Sequence, residues 1–285
     1  MKKTILMLAA VAFCGTTAFA QLENKKGEAY LPESGDWAIG IDASPVLSYF
    51  GNMMNGNLNN TVPSWNFTNG GAMITGKYFA SETMAYRGML RLGFGSNSQD
   101  NYVVKDGTTS NPPEMVVDNM KTSWNAIGLG AGMEMRKGKT RLQGYYGAMF
   151  MFYMMGGKDT YTYGNDFSTT YQTPNSTDFT TMTSGPVASR LVTNKWGTQM
   201  MFGIRGFVGA EYFIIPKVSI GGEFGWGLGF SSTGEGTVTT AAWDAANNVT
   251  KETDAVSGKS SSFAIDTDNN TFGLAPAQLL IHFHF

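Results

Sequence analysis

Val218-Ser219-Ile220-Gly221-Gly222-Glu223-Phe224-Gly225-Trp226-Gly227-Leu228-Gly229-Phe230 sets a large apolar residue at nearly every second position. Val218, Ile220, Phe224, Trp226, Leu228 and Phe230 share one face, and Ser219, Gly221, Glu223, Gly225, Gly227 and Gly229 share the other. A period of two is the signature of a β-strand. A soluble β-sandwich alternates as well, but it buries its apolar face and leaves a polar face in water. Here the second face is glycine with a carboxylate, which suits a crowded polar interior better than a solvated surface.

The same pattern recurs along the chain. From Trp37, Ile39, Ile41 and Ala43 oppose Ala38, Gly40, Asp42 and Ser44, with Pro45 marking the edge of regular pairing. A second strand is expected over about 71–79 and a third over about 83–95, where Tyr86, Leu90, Leu92 and Phe94 oppose Arg87, Met89, Arg91 and Gly93. In the fourth, Ile127, Leu129, Ala131, Met133 and Met135 oppose Gly128, Gly130, Gly132, Glu134 and Arg136. The fifth sets Leu142, Tyr146, Ala148, Phe150 and Phe152 against Arg141, Gln143, Tyr145, Gly147 and Met149. The sixth sets Met200, Phe202, Ile204, Val208 and Tyr212 against Gln199, Gly203, Arg205, Gly209 and Glu211. The eighth ends the chain, with Leu279, Ile281, Phe283 and Phe285 opposing Gln278, Leu280, His282 and His284.

Connections between these strands alternate in length. Short ones fall near 80–83, 136–140 and 215–217, and long polar ones near 51–70, 96–121, 156–195 and 231–271. Four long and three short connections are the count for eight antiparallel strands in up-and-down order. Extra hairpins within 156–195 or 231–271 would make ten.

Composition agrees. Thirty-six of 285 residues are glycine and 15% are charged, against usual shares of roughly 7% and 25%. The 19 Phe, 12 Tyr and 6 Trp exclude ordinary disorder, and no Gly-X-Y period supports collagen. No apolar run is long enough for a helical membrane span.

Residues 1–20 read as a signal peptide: Lys2 and Lys3 precede an apolar stretch, and Ala18-Phe19-Ala20 supplies a cleavage site before Gln21. The only Cys, Cys14, lies within it. A lipoprotein signal is disfavoured by the bulky Phe13 before that Cys. The exported chain therefore has no disulfides and no thiolate metal site. Without Lys2 and Lys3 it keeps 18 basic and 22 acidic residues, and nothing in it suggests a basic surface for nucleic acid.

This combination resembles the bacterial outer-membrane β-barrels, with the run 216–230 also resembling small barrels of the Bacteroidota. Leu279, Ile281, Phe283 and the terminal Phe285 resemble the C-terminal signal by which such barrels are recognised for assembly. The resemblance implies an all-β transmembrane antiparallel up-and-down barrel over 36–285, with short periplasmic turns and long extracellular loops, preceded by a periplasmic segment over 21–35. It implies outer-membrane lipid and the barrel-assembly machinery as partners, and a monomer. Closure is a physical requirement in lipid, where every backbone donor and acceptor must be paired without water.

With that orientation, Lys77, Arg87, Arg91, Glu134, Arg136, Arg141, Gln143, Glu211, Glu223, His282 and His284 point inward near the periplasmic half, and Asp42 and Arg205 nearer the middle. Charges crowded into a narrow lumen must pair, so a polar plug is expected. Above it Gly93, Gly128, Gly130, Gly225, Gly227 and Gly229, with Met149, Met151 and Met201, suggest a recess open to the outside.

Catalysis is not indicated. Outer-membrane enzymes of this shape resemble one another in using His with Ser, Glu or Asp, whereas His282 and His284 both fall at the periplasmic rim, remote from an outward-facing site. Asp266-Thr267-Asp268-Asn269-Asn270 begins like a calcium loop, but Thr271 and Ala277 occupy the positions of the required Gly and Glu. No cofactor or metal is expected. The expected role is non-enzymatic, envelope structure with surface contacts through loops rich in Tyr, Thr and Asn, including Tyr161, Tyr163 and Trp243. The alternative is a narrow porin-like channel, or a carrier for small hydrophobic solutes.

Overall fold

The computed structural model describes residues 27–56, 74–266 and 277–285. In chain order it contains β1 (Trp37–Asp42), α1 (Ser44–Met54), β2 (Ile74–Ser81), β3 (Met84–Val104), β4 (Met115–Lys137), β5 (Leu142–Thr162) and β6 (Asn175–Asp178). Then follow β7 (Thr183–Pro186), β8 (Ser189–Lys195), β9 (Gln199–Ile215), β10 (Val218–Thr233), β11 (Thr237–Asp244), β12 (Val249–Val256), β13 (Ser260–Asp266) and β14 (Ala277–His284).

Eight of these strands close on themselves. The pairing runs β1, β2, β3, β4, β5, β9, β10 and β14, and β14 returns to β1 with Ala38 opposite His284 and Asp42 opposite Leu280. Every pair is antiparallel. Where the ring is closed, each strand has a neighbour on both edges, removing the unpaired row of donors and acceptors that an open sheet presents, whereas β3 above Leu90 has β4 alone as its ladder partner among the described residues.

The alternation read from sequence is the alternation of the ring. In β10, Ser219, Gly221, Glu223, Gly225, Gly227 and Gly229 are buried inside, while Phe224, Trp226 and Leu228 are exposed outside. In β4, Ala126, Gly128, Glu134 and Arg136 are buried, and Leu129, Met133 and Met135 are exposed. Neighbouring strands agree in which face they present, because a register slip of one residue would exchange the faces.

Glycine is needed inside where walls approach closely. A Cβ on Gly209 would lie 2.6 Å from the Gly222 carbonyl oxygen and 2.6 Å from the Tyr145 hydroxyl. On the outer face, by contrast, a Cβ on Gly88 would meet nothing nearer than 4.0 Å.

The short connections are tight turns. Pro216 and Lys217 alone join β9 to β10, and Lys217 takes φ +60°, a left-handed conformation costing roughly 1–2 kcal/mol for a residue with a side chain. That conformation is secured from outside the turn: the Lys217 amide donates to the Tyr30 carbonyl at 3.4 Å, and the His284 amide donates to the Lys217 carbonyl at 2.7 Å.

At the opposite end the strands outgrow the ring. β3 and β4 stay in register from Met84 opposite Met135 to Val104 opposite Met115, so most of the long polar stretch 96–121 is a continuous hairpin. Above Met155, β5 leaves β9 and takes β8 as its neighbour, and β11 and β12 add to β8 in turn. β10 carries two successive partners on one side, β14 over Val218–Phe224 and β13 over Gly227–Thr233. β6 and β7 form a separate hairpin. The additional hairpins thus join the walls above the ring and do not enter it, and its strand number stays at eight.

The expectation for the first strand needs correction. It ends at Asp42, and Ala43, expected on the outer face, is fully buried as the N-cap of α1. Pro45 stands in the first turn of that helix, where its missing N–H costs nothing. The chain around Pro45 lacks the period of two, but so does a loop, and the helix was not expected. Residues 1–20, and all of the calcium-like segment between Asp266 and Ala277, lie outside the described residues.

Candidate functional site

Four basic and three acidic side chains from five strands meet inside the ring. Lys77 of β2 reaches Glu134 of β4 at 3.0 Å and Glu211 of β9 at 3.6 Å. Arg136, two residues along β4 on the same face, binds Glu134 at 2.7 Å and also pairs with Glu211. Arg87 of β3 donates to Glu223 of β10 at 2.6 Å, and Arg205 of β9 takes the other oxygen of that carboxylate at 2.5 Å. A longer contact, 3.7 Å from Arg87 Nε to Glu134, links the two halves. All seven side chains are at most 2% exposed.

Each carboxylate therefore faces at least two cations. Desolvating a charge is costly, and such an arrangement is sustained only when partners and geometry are supplied together. Two aromatic residues complete the packing. The Tyr145 ring lies 4.7 Å from Lys77 Nζ, and the Phe207 ring lies 4.2 Å from the Arg87 guanidinium carbon. Tyr145 stood on the inward face by alternation, but its partnership with Lys77, and the part played by Phe207, were not foreseen. Cation and ring come from different strands, so only the fold brings them together.

Below this network lies a second polar group. Ser219 Oγ is 3.1 Å from His284 Nε2 and 3.3 Å from Glu211 Oε2, and His282 Nδ1 is 3.6 Å from the same Glu211 oxygen. Serine, histidine and carboxylate lie within reach of one another, as a nucleophile and its base must. Ser219 is 0% exposed, however, and His284 is flanked by Phe79 and Phe213 with ring centroids at 5.5 and 5.1 Å.

The segment before β1 is fastened to the rim at this end. The Gly35 amide donates to the Phe79 carbonyl at 2.8 Å, Ser34 Oγ to the Ala80 carbonyl at 3.1 Å, and Asp36 pairs with Lys217. Burial alone would raise the Asp36 pKa, but the hydrogen bonds from Lys217 and the Glu33 amide, together with the Lys217 charge, outweigh it and hold the carboxyl below its ordinary value.

Of the residues expected inside, Lys77, Arg87, Glu134, Arg136, Arg205, Glu211 and Glu223 come together as one network. Arg141 does not join it. Its Nε donates to the Phe213 carbonyl at 2.7 Å and its guanidinium stacks 4.2 Å from the Tyr30 ring, because β5 begins at the rim and carries Arg141 below the carboxylates. Arg91 also stands apart, one layer above, with the Tyr153 ring 5.6 Å from its guanidinium carbon. Asp42 closes β1 opposite Leu280, and its side chain lies outside those described. Leu279, Ile281, Phe283 and Phe285 alternate outward along β14 as expected, Leu280, His282 and His284 being buried.

Above the network, Met89, Ala126, Tyr145, Met149, Met151, Tyr153 and Phe207 pack as one cluster, with Trp124 and Met201 against it. The expected open recess is thus filled at this level: Met149 and Met151 are 2% and 3% exposed.

The long-loop end is ordered by polar side chains. Asp118 of β4 accepts from the Gly164 amide at 2.9 Å and the Thr177 amide at 2.7 Å. Asn165 accepts from the Asp106 amide at 2.9 Å and donates to the carbonyls of Val104 and Asn175, each at 2.9 Å. Arg190 lies 4.3 Å from the Tyr163 ring and donates to the Asn165 carbonyl at 2.6 Å. Burial lowers the pKa of Arg190 and raises that of Tyr163. These contacts fasten β6 and β7 onto the β3–β4 hairpin.

Comparison with known proteins finds no matching family model and no matching curated protein.

Proposed function

We propose that this chain is an exported, monomeric, integral outer-membrane barrel of a Gram-negative cell, non-enzymatic, contributing to envelope structure and meeting outside partners through its long-loop end. One observation carries the reading. The ring is built inside out relative to a soluble protein, with buried charges within and exposed Leu90, Leu92, Phe94, Phe150, Ile204 and Trp226 without. Isolated exposed apolar residues are ordinary, but a contiguous apolar patch on a soluble monomer rarely exceeds a few hundred Å².

The height of the band supports lipid as the solvent. From Leu142 to Phe152 the outward face of β5 spans ten residue steps, about 34 Å along the strand and about 26 Å at a tilt near 40°, close to the ~25 Å apolar band of membrane barrels. Trp37, Tyr78 and Tyr86 stand opposite one another on three neighbouring strands near the short-turn end, the kind of aromatic belt found where a membrane meets water. The short turns then face the periplasm and the hairpins face outward. Leu279, Ile281, Phe283 and Phe285 serve as the signal read by the assembly machinery.

The interior argues for a structural role over conduction. The salt-bridge network and the methionine layer fill the ring at successive levels, and the segment ending at Asp36 is fastened to the rim beneath. The buried Ser219 likewise supports a non-enzymatic reading.

Expression of the whole chain in a Gram-negative host tests the proposal. The protein should fractionate with outer membranes, resist carbonate extraction and migrate faster on gels before boiling than after. Protease added to intact cells should cut within 163–186 or 244–248. Recovery in the soluble fraction without detergent would overturn the reading.

A further inference from the structure

Gly76 of β2 and Gly88 of β3 stand opposite one another on the outer face of the ring. A Cβ on Gly76 would meet only the Ala38 carbonyl oxygen, at 3.9 Å, and one on Gly88 nothing nearer than 4.0 Å. Neither residue takes a left-handed backbone conformation. Glycine inside a strand weakens it, and where no bulge or bend calls for it, it marks a place that a ligand or another backbone approaches closely. The two glycines form the floor of a recess of about 590 Å³. Trp37, Tyr78 and Tyr86 wall it toward the short turns, the first two rings lying 4.9 Å apart. Ile74, Leu90 and Leu129 wall the other side, each opposite the next across β2, β3 and β4. Lys77, Arg87 and Met89 also border the recess, but their side chains turn into the ring, where the first two form ion pairs.

A basic edge lies below this recess. Ala131 stands opposite Gly88 and continues its row onto β4, and Lys137 lies farther along the same outward face of that strand. Lys137 and Lys139 are both exposed on the turn into β5, and they outnumber the exposed Glu82 of the adjoining turn. The two turns are held side by side, the Arg136 amide donating to the Thr83 carbonyl at 2.8 Å. From Ala131 to Lys137 the strand runs about 20 Å, or about 15 Å toward the rim at a tilt near 40°. The hydrocarbon of one bilayer leaflet is about 15 Å deep. A chain lying in the recess and a head group at the turn are therefore separated by the dimensions of one lipid.

We infer that this face seats one anionic phospholipid of the periplasmic leaflet, its acyl chain lying over Gly76 and Gly88 and its phosphate at Lys137 and Lys139. The inference rests on the membrane reading above and names the lipid that the outer face selects. An apolar recess alone would take any chain, so the selection comes from the lysines. Lysine binds phosphate as a point charge, without the geometry that an arginine fork demands. A basic residue near a membrane surface favours an anionic head about fivefold. A zwitterionic head would bring its own cation to the two lysines and forfeit that gain. Trp37, Tyr78 and Tyr86 stand at the level where amphipathic rings meet head groups, between the chain and the phosphate.

Tryptophan quenching by phospholipids brominated on the acyl chain tests this on the full exported chain reconstituted in vesicles. Trp37 and Trp226 are both exposed on the outer face, the first at the recess and the second away from it. In Trp226→Phe, where Trp37 reports, brominated phosphatidylglycerol should quench at about fivefold lower mole fraction than brominated phosphatidylcholine. In Trp37→Phe, where Trp226 reports, the two lipids should quench alike. Adding Lys137→Gln and Lys139→Gln to the first variant should abolish the preference, and adding Gly88→Leu, which fills the recess, should weaken the binding of phosphatidylglycerol by a similar factor. Should Gly88→Leu fail to fold, the lysine pair and the head-group comparison decide. Equal quenching of Trp37 by both lipids, or a preference that survives loss of the lysines, would overturn the seat and leave the membrane reading standing. Trp37 shielded from both lipids while Trp226 is quenched would overturn it in favour of a second copy of the chain. Quenching of neither indole by either lipid would overturn the membrane reading itself.

Discussion

Arg87 and Glu223 meet at 2.6 Å across the ring interior although 136 residues separate them in the chain. Glu223 holds a second arginine, Arg205, at 2.5 Å, so one carboxylate ties β3 to β9 and β10 at once. Its removal leaves two desolvated guanidinium groups short of charge. Glu223→Ala should cost about 3–5 kcal/mol in guanidinium unfolding from lipid or detergent. The paired replacement Arg87→Met with Glu223→Met should cost less than the sum of the two single changes, because it removes a charge of each sign.

The two glycine environments predict opposite outcomes. Gly209→Ala forces a methyl group against the Gly222 carbonyl and the Tyr145 hydroxyl, and should cost about 1–3 kcal/mol by the same measurement. Gly88→Ala, on the open outer face, should be neutral or slightly stabilising, since alanine restricts the unfolded chain. Equal costs would contradict the placement of these residues.

Lipid contact predicts a cost that depends on depth. Leu228→Arg on the outer face should destabilise the folded protein in bilayers by about 2–4 kcal/mol, and Ser98→Arg on the exposed hairpin by less than about 1 kcal/mol. The same small effect at both positions would show that water, not lipid, meets the outer face.

The Asp36–Lys217 pair fastens the segment beneath the ring, and its dependence on pH has a definite sign. The folded carboxyl has a pKa below its unfolded value of about 3.9, so its stabilisation is present above that value and fades as pH falls through the folded pKa. Limited proteolysis near Tyr30 should accelerate on acidification from pH 5 to pH 3. Asp36→Asn should remove that acceleration and cost at most about 1 kcal/mol at neutral pH.

Asp118 offers a test confined to the loops. Asp118→Ala frees the Gly164 and Thr177 amides that its carboxylate binds, and cleavage between 163 and 186 should rise sharply while unfolding of the ring stays the same. A matching loss in the ring would mean that loops and ring unfold as one unit.

Much of the ring was legible because its cause is local. Each strand carries its own period of two, and the turns at 80–83, 136–140 and 215–217 set the order, so the inward placement of Glu134, Arg205 and Glu223 followed from sequence. Which charges pair did not follow. Arg87 and Arg91 share a face and a charge four residues apart, yet Glu223 on a distant strand meets Arg87, and among the described residues Arg91 has no carboxylate in an ion pair. The helix at Ser44–Met54 escaped because its start breaks one period without establishing another long enough to recognise. The hairpin extensions of β3 and β4 were hidden by polar side chains, since a strand in water on both faces has no apolar rhythm.

The partnership of β14 with β1 has a kinetic consequence. The first strand described finds its neighbour only after every other ring strand has been synthesised, so neither can satisfy both of its edges during translation. Contacts of such separation carry the full entropy of closing the intervening chain, and topologies dominated by them fold slowly. Ring closure between β1 and β14 is therefore the last ring pairing that synthesis makes possible, and the one that closes the longest loop of chain.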